Sequence, residues 1–509
     1  MTNKIDNFVS DPFTSVHPIY KNSPLHMRPA VETANGEMLL ASFYRQLGYE
    51  KVKEGQVPAN GRVLRKQLMK ENPKNLEKTS STINARDWRE ILTRVLNSPK
   101  NPNQSKSRFL QIAPIIPQPS IYCLSARLTT NPWPIGVLPD LLIKMGCPSE
   151  EAANNLKRRA FEALSVDDDD DIWAQILQKE FEATSPFPTI NWNYCGDTPW
   201  TETLKSWHAF PIDCPAKQFV RDLERVLKLK PKLTRRQWTS SLESLLRIGA
   251  ASYICWICKF NISCLEMLRA ALDGRQPKTN CISHKISKLP KFIYGQYAAA
   301  AIKTLAVEFL WARVSINLIL LFLEEAGVVS TNDNSCLANE SRIHEFANNI
   351  YTQRARVDTK RLELCLEEIR EKHPAKIAGK KGIANNVKEF LTYILSQRAT
   401  NEKGLDSYDQ SYFLRKKTKA VRSRWIFSMG PVSVLTLVHA LAGDSTRPQT
   451  VSNLCQHLAK YGMHIEPQDL PTSSLGITLR SLGLVLDSPD AEGGMVVLSP
   501  FNISKRKPL

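Results

Sequence analysis

The chain has 509 residues, of which 42% are hydrophobic and 23% are charged. This length and composition exclude a single small module and a disordered polar chain. Lysine and arginine number 68 against 50 acidic residues, a formal net charge of +18, and such an excess favours polyanionic partners, nucleic acid first among them.

Cysteine usage and hydropathy together predict the compartment. The eleven cysteines are an odd number scattered along a long chain, unlike the dense, even framework of a secreted disulfide-rich protein. The first residues lack the basic start and apolar run of a secretory signal. The most apolar stretch, 297–323, is interrupted by Lys303, Glu308 and Arg313, which leaves a run too short to cross a bilayer. We therefore expect reduced thiols, a cytoplasmic location and no membrane span.

The N-terminal part divides into a helical region and a proline-rich segment. Apolar spacing within residues 1–98 predicts a basic region with helices near 37–47, 62–70 and 85–96. Residues 99–139 contain eight prolines, each of which fixes φ and lacks a backbone donor. The sequence therefore predicts that 99–139 is a linker or a segment that wraps around the fold.

Five consecutive aspartates, Asp167 to Asp171, directly precede an apolar periodic run. Carboxylates are favourable at a helix N-terminus, so the run predicts a solvated helix start. The alternative is a metal site, although the aspartates lack the spacing of a calcium loop.

Residues 140–410 are predicted to form an α-helical block. Apolar residues recur at three- and four-residue spacings throughout its second half, which is typical of buried helix faces. The predicted helices of this half are 219–229, 240–272, 297–323, 341–370 and 383–397.

The block also contains a possible tetrahedral metal set. Cys255 and Cys258 form one C-x2-C pair, and Cys281 and His284 form a C-x2-H pair further on. Two close pairs of such ligands suit zinc. The favoured interpretation is that the thiols are small core hydrophobes, because Cys255 and Cys258 lie in an apolar helical run. No metal site is therefore predicted here.

Two basic segments are predicted to contact DNA phosphates. Residues 411–430 contain no acid and are predicted as a basic connecting helix, because a helix would place Arg415, Lys419 and Arg422 on one face. The run 217–236 is the second segment. The predicted contacts from both segments are Arg415, Lys416, Lys419, Arg422, Arg424, Lys230, Lys232, Arg235 and Arg236.

Residues 431–509 have the pattern of a small separate module. Three short apolar-striped helices end at Gly443, Gly462 and Gly483, and two apolar strands, 484–486 and 495–498, follow on either side of a turn-rich loop. This order resembles a winged helix-turn-helix.

The resemblance implies that the third helix, 472–482, enters the major groove with Arg480, and that 487–494 is the wing. Six basic and six acidic residues make the module neutral, whereas duplex affinity rests on phosphate neutralisation. The resemblance therefore does not decide whether the module reads DNA or docks onto another protein.

No catalytic signature occurs in the chain. A phosphate-binding G-x-x-x-x-G-K-[ST] loop, an H-E-x-x-H pair and a G-x-S-x-G elbow are all absent, so neither a cofactor nor a catalytic residue is predicted. Glu345 followed by Asp358-Thr359-Lys360 matches the carboxylate-lysine string of some nucleases. Because both lie on what is predicted as one long helix, a salt-bridged helix face is the favoured interpretation.

The sequence thus predicts a mainly α, multidomain protein with a C-terminal winged-helix-like module. We expect it to act without catalysis as a DNA-associated subunit or adaptor of a DNA-processing or anti-phage defence assembly, with DNA and other proteins as partners. The alternatives are a protein-interaction scaffold that docks acidic partners and an unrecognised metal-dependent nuclease.

Overall fold

Helices carry most of the regular structure, which confirms the prediction of a mainly α fold. The protein is described here by a computed structural model. It describes residues 4–26, 35–49, 85–100, 112–122, 138–184, 191–197, 199–200, 204–205, 214–277, 292–331, 335–400, 403–405, 407–418, 420, 423–443, 449–486 and 495–501.

The N-terminal half consists of helices, of which the one over residues 36–48 is buried on nearly all sides. Asn35 and Ser149 begin two of them by accepting a backbone N–H three residues on. Residues 112–117 are buried, so the described part of the predicted proline-rich linker wraps around the fold, and the predicted helix at 62–70 lies outside the described residues. The helices are α1 (Lys4–Ser10), α2 (Pro18–Lys21), α3 (Gly36–Gly48), α4 (Ala85–Leu96), α5 (Pro117–Tyr122), α6 (Leu138–Gly146), α7 (Glu150–Leu164), α8 (Ile172–Thr184) and α9 (Pro215–Leu227).

Two long helices form the centre of the fold and pack against each other. They are α10 (Arg235–Leu272), which begins at a capping box made by Thr234 and Gln237, and α11 (Ala299–Glu325). In the described part of the chain, both are long and apolar enough to cross a membrane, yet 89% and 78% of their most apolar windows are buried inside the fold. A helix that is surrounded by other helices buries every face, and its residues are therefore apolar on all sides.

The remaining helices of the central block correct one prediction. The predicted single helix over 341–370 is wrong, because a 3-10 turn at Arg354–Arg356 ends one helix and the side chain of Asp358 caps the next. Glu345 pairs with Arg342 at 3.1 Å, so both carboxylates of the nuclease-like string have local partners. The elements are α12 (Glu340–Gln353), α13 (Thr359–Lys372), α14 (Pro374–Ile377), α15 (Ile383–Leu395), and the strands β1 (Phe292–Ile293), β2 (Leu414–Lys416) and β3 (Trp425–Phe427).

The C-terminal part contains the three predicted helices and the two predicted strands in order, and two short strands between the helices that were not predicted. The strand β7 lies between β4 and β6 and is antiparallel to both, while β5 pairs in parallel with β1. The loop 487–494 lies outside the described residues. The elements are α16 (Pro431–Ala442), β4 (Gln449–Thr450), α17 (Val451–Ala459), β5 (Met463–His464), α18 (Ser474–Ser481), β6 (Val485–Leu486) and β7 (Val496–Val497).

These C-terminal elements are packed into the helical block. One continuous cluster of buried apolar side chains includes members of both, and α16 packs against α9 and α10. On α9, the fully buried carboxylate of Asp222 accepts hydrogen bonds from Gln218 Nε2 at 2.8 Å and Tyr461 Oη at 2.7 Å. His457 Nε2 lies 2.9 Å from the same carboxylate. Polar contacts therefore reinforce the apolar docking of the C-terminal elements.

Candidate functional site

The basic segment 411–430 is built around a β-hairpin, so the prediction of a connecting helix is wrong. Strand β2 pairs antiparallel with β3, with Leu414 opposite Phe427 and Lys416 opposite Trp425. Phe413, Leu414 and Phe427 are fully buried. Burial of these side chains and the strand pairing outweigh the helical spacing of the cations.

The hairpin is held against the residues that precede α11. Gly295 N donates to Phe427 O at 2.8 Å, and Phe427 N donates to Gln296 O at 2.9 Å. The rings of Phe292 and Phe427 stack with centroids 5.5 Å apart. The buried residues at the inner end of the hairpin therefore fix the position of its outer residues.

The cations of the hairpin surround aromatic rings. Lys417 Nζ lies 5.7 Å, and Arg424 Cζ 5.2 Å, from the ring centroid of Tyr297, whose side chain is 45% exposed. Lys416 Nζ lies 5.8 Å from the ring centroid of Trp425. Such contacts attract a cation to the face of a ring and help to fix its position.

We call the exposed and half-buried cations and rings of the hairpin, together with Tyr297, the hairpin surface. Of its cations, Arg415, Lys417 and Arg424 are exposed and Lys416 is half-buried, whereas the predicted contacts Lys419 and Arg422 lie outside the described residues. No aspartate or glutamate occurs between residues 411 and 430. The hairpin surface consists of Tyr297, Arg415, Lys416, Lys417, Arg424 and Trp425.

Two other predicted DNA contacts, Lys230 and Arg235, are buried, so that part of the prediction is wrong. Their side chains are sequestered by the aspartate run: Lys230 Nζ lies 2.5 Å from Asp167 and 3.1 Å from Asp170, and Arg235 Nη1 lies 3.1 Å from Asp170. A guanidinium that is 2% exposed cannot reach a phosphate without unfolding its surroundings.

Arg235 also holds the end of α7. Its guanidinium donates to the carbonyl oxygens of Ala163, Leu164 and Ser165, the unpaired acceptors at a helix C-terminus, where positive charge is favourable. Asp171 Oδ1 accepts from Trp173 N and Ala174 N, both at 3.1 Å, at the start of α8. The prediction that the aspartate run marks a helix start is confirmed, but the prediction that the run is solvated is wrong for Asp170, which is buried against Lys230 and Arg235.

The remaining predicted contacts lie at the surface. Lys232 and Arg236 are exposed, and Arg236 Cζ stacks 5.3 Å from the ring centroid of Tyr408. Arg480 lies in the last turn of α18 and donates to Pro471 O at 2.6 Å. None of these side chains belongs to the hairpin surface.

Two residues of the possible zinc set can be placed. Cys255 and Cys258 are buried in α10, and desolvation raises the pKa of the Cys255 thiol to about 12 and raises that of Cys258 well above its usual range. Burial thus opposes the thiolate form that binds metal. Cys281 and His284 lie outside the described residues.

Sequence reasoning missed a buried charge network at the N-terminal half of α10. Lys100 Nζ lies 2.8 Å from Glu243, 3.8 Å from Asp409 and 3.9 Å from Glu37. Arg247 Nη1 lies 3.1 Å from Asp409. The one signal in the sequence is that Glu243 and Arg247 are an i, i+4 ion pair within an otherwise apolar run.

An open cavity of about 690 Å³ lies above this network. The first turns of α10 and the loop residues 404, 405, 407, 408, 410 and 411 form much of its wall, and α3 and α16 each contribute residues. Glu37, Lys100 and Glu243 line it from the network side. Cavities of this size that carry convergent charged groups are typical of ligand sites.

Glu37 makes the stability of the fold depend on pH. Burial, and after it the nearby carboxylates of Glu243 and Asp409, raise its pKa from 4.5 to about 7 against the opposing effect of Lys100. Ser98 Oγ donates to it at 2.6 Å. Because the folded state holds this proton more tightly than the unfolded chain, stability falls as pH rises from about 4.5 to 7.

We therefore expect Glu37→Gln to stabilise the protein at pH 8 by up to about 3 kcal/mol, from a shift of about 2.5 units at 1.36 kcal/mol each. Near pH 3, below both pKa values, the substitution should have almost no effect, because Glu37 is then protonated in the folded and the unfolded state. Urea unfolding at both pH values measures the difference. Equal effects at the two values would contradict the buried, proton-holding carboxyl.

The hairpin surface and the cavity are thus two polar features that the fold presents for binding. The first carries surplus positive charge beside the exposed ring of Tyr297. The second carries charged groups below an open mouth. A comparison of the sequence with models of known protein families finds no match, and a comparison with curated proteins finds no significant similarity.

Proposed function

We propose that the protein is a non-enzymatic, DNA-associated subunit or adaptor that contacts DNA through the hairpin surface, in a DNA-processing or anti-phage defence assembly. The observation that carries the proposal is the placement of Lys417 and Arg424 around the exposed ring of Tyr297. Clustered cations supply the phosphate contacts that dominate affinity for nucleic acid. Aromatic rings among such cations add stacking on unpaired bases.

The C-terminal module fits the same proposal as a docking element. Three helices, with the strands β4 and β5 between them and β6 and β7 after them, support the winged-helix interpretation of residues 431–509, as does the sheet order β4-β7-β6. On its outer surface, Ile477 of α18 is 61% exposed and Leu486 of β6 is 56% exposed. Apolar groups at these places favour a protein partner over a DNA groove, which also supports the scaffold alternative.

A cytoplasmic location is part of the proposal. None of the nine cysteines in the described part of the chain forms a disulfide, which fits a reducing compartment. A metal-dependent nuclease has less support, because Glu345 is paired with Arg342 and Asp358 caps α13.

Charge reversal at the hairpin surface tests the proposal. The triple variant Lys416→Glu, Lys417→Glu, Arg424→Glu should lose most of its affinity for DNA, because up to three phosphate contacts become repulsive. The log-log dependence of affinity on salt should become shallower by up to about 2.7, since each phosphate contact contributes about 0.9 on duplex DNA. Fluorescence anisotropy with duplex and single-stranded DNA at several salt concentrations measures both quantities.

A matched triple variant controls for net charge. Lys360, Lys380 and Lys381 are exposed cations on the central helical block, and changing them to glutamate alters the net charge by the same amount. This control should retain nearly full affinity, and circular dichroism should show both variants folded. Equal affinity of the two triple variants would remove the reason to prefer DNA, and the scaffold alternative would then lead.

A further inference from the structure

The cavity above the buried network has walls of two chemical kinds. Apolar side chains of Leu40, Leu233, Leu405 and Leu435 form part of its lining. Hydroxyl and amide groups from the start of α10 and from the loop residues 407, 408, 410 and 411 form much of the rest. A ligand of this cavity would therefore have an apolar or aromatic body and at least one polar group.

The charges beneath the cavity balance one another. Three acids, Glu37, Glu243 and Asp409, face Lys100 and Arg247 within 4 Å, and the positive charge of Arg398 also acts on Asp409. Three negative and three positive groups make this floor neutral when all are ionised. A ligand gains no net attraction from the floor.

Arg236 adds one positive charge to the cavity wall, beyond the balanced charges of the floor. In the part of the chain that the structure describes, no acidic oxygen lies within 4 Å of its guanidinium, and its one close partner is the ring of Tyr408. Burial lowers its pKa, and the closest charge that opposes this effect is Glu37. An exposed guanidinium without an acidic partner at the wall of a cavity can donate charged hydrogen bonds to an anion.

Unused donors accompany Arg236. Gln237 accepts from Thr234 with its carbonyl oxygen, which leaves its Nε2 amide available, and the side chains of Ser407 and Gln410 are exposed on the opposite wall. By contrast, Ser240 Oγ and Ser411 Oγ already donate to backbone carbonyls. The available groups are thus mostly donors, which suits an anionic oxygen.

We propose that this cavity is a binding site for a small organic anion with an aromatic or apolar body. Arg236 and the Gln237 amide bind the anionic group, and the body lies along Tyr408 and the leucine side chains. This site is separate from the hairpin surface, and its occupation does not require DNA.

The probe for this site is anilinonaphthalene sulfonate, a fluorescent organic anion with aromatic rings. The folded full-length protein should bind it saturably, and Arg236→Gln should weaken binding about tenfold or more, as expected for loss of a charged hydrogen bond. Lys228→Gln, which changes an exposed cation that does not line the cavity, should leave binding unchanged. Glu37→Gln should instead tighten binding at pH 8, because it removes a negative charge that lines the cavity and acts on Arg236.

Two further measurements test whether the probe binds inside the cavity and which anionic group the site prefers. Ser407→Trp places a large ring at the mouth of the cavity and should abolish probe binding without removing any charge. Displacement of the probe by a nucleoside monophosphate, compared with an aromatic carboxylate, identifies whether a phosphate or a carboxylate is preferred. Probe fluorescence that is equal in the wild type, Arg236→Gln and Ser407→Trp would overturn the proposal, since the dye would then bind elsewhere.

Discussion

Arg235→Met should lower the free energy of unfolding by about 3–5 kcal/mol, the usual cost of breaking a buried ion pair by removing one partner. The substitution leaves Asp170 with Lys230 alone and removes the donors to the carbonyl oxygens at the end of α7. Methionine keeps most of the aliphatic volume, so the loss comes from charge and hydrogen bonds. Urea unfolding followed by circular dichroism measures it.

Neighbouring cations provide the control for this variant. Lys232→Met and Arg236→Met alter exposed side chains within three residues of Arg235 and should change the free energy of unfolding by less than about 0.5 kcal/mol. A loss of DNA affinity in folded Arg235→Met, with no loss of stability, would contradict the structural role and restore the sequence prediction of a phosphate contact.

Asp222→Ala should destabilise the docking of the C-terminal module by about 3 kcal/mol or more. The fully buried carboxylate accepts hydrogen bonds from Gln218 and Tyr461 and lies beside His457, so its removal leaves buried polar groups without a partner. We expect residues after about 430 to become sensitive to protease before the helical block does. Limited proteolysis with mass spectrometry follows this order of cleavage.

Two variants calibrate that result. Tyr461→Phe removes one donor and should cost about 1–2 kcal/mol, and the double variant should cost less than the sum because both residues share the same hydrogen bond. Glu345→Ala breaks an exposed ion pair and should be almost neutral. If Asp222→Ala left protease resistance unchanged, the docking would rest on apolar contacts alone.

Local patterns in the sequence were sufficient for most of the long helices, although not for the break at Arg354–Arg356. Apolar residues at three- and four-residue spacings identified α10 and α11, because a helix that is buried on nearly all sides carries apolar residues on every face. Asp171 marked the start of α8 for an equally local reason, since a carboxylate caps the backbone N–H groups that directly follow it. The order of elements after residue 431 also follows from stops and turns that lie within the same short stretches.

The segment 411–430 shows where local patterns fail. Its cations recur at helical spacing, but charged side chains at the surface contribute only tenths of a kcal/mol to helix formation. Burial of Phe413, Leu414 and Phe427 and pairing with the residues before α11 contribute far more. Because those partners are more than a hundred residues away in the chain, the hairpin could not be predicted from the segment itself.

The roles of the individual charges were decided only by tertiary structure. Arg235 and Arg236 are adjacent and identical in type, yet one lies against Asp170 in the interior and the other lies over Tyr408 at the mouth of the cavity. The network of Lys100, Glu243 and Asp409 joins three distant parts of the chain. Composition and apolar spacing by themselves determined that the protein is basic and helical. The role of each charge could not be determined in this way, because the free energy of burying a charge depends on partners that only the folded chain brings within 4 Å.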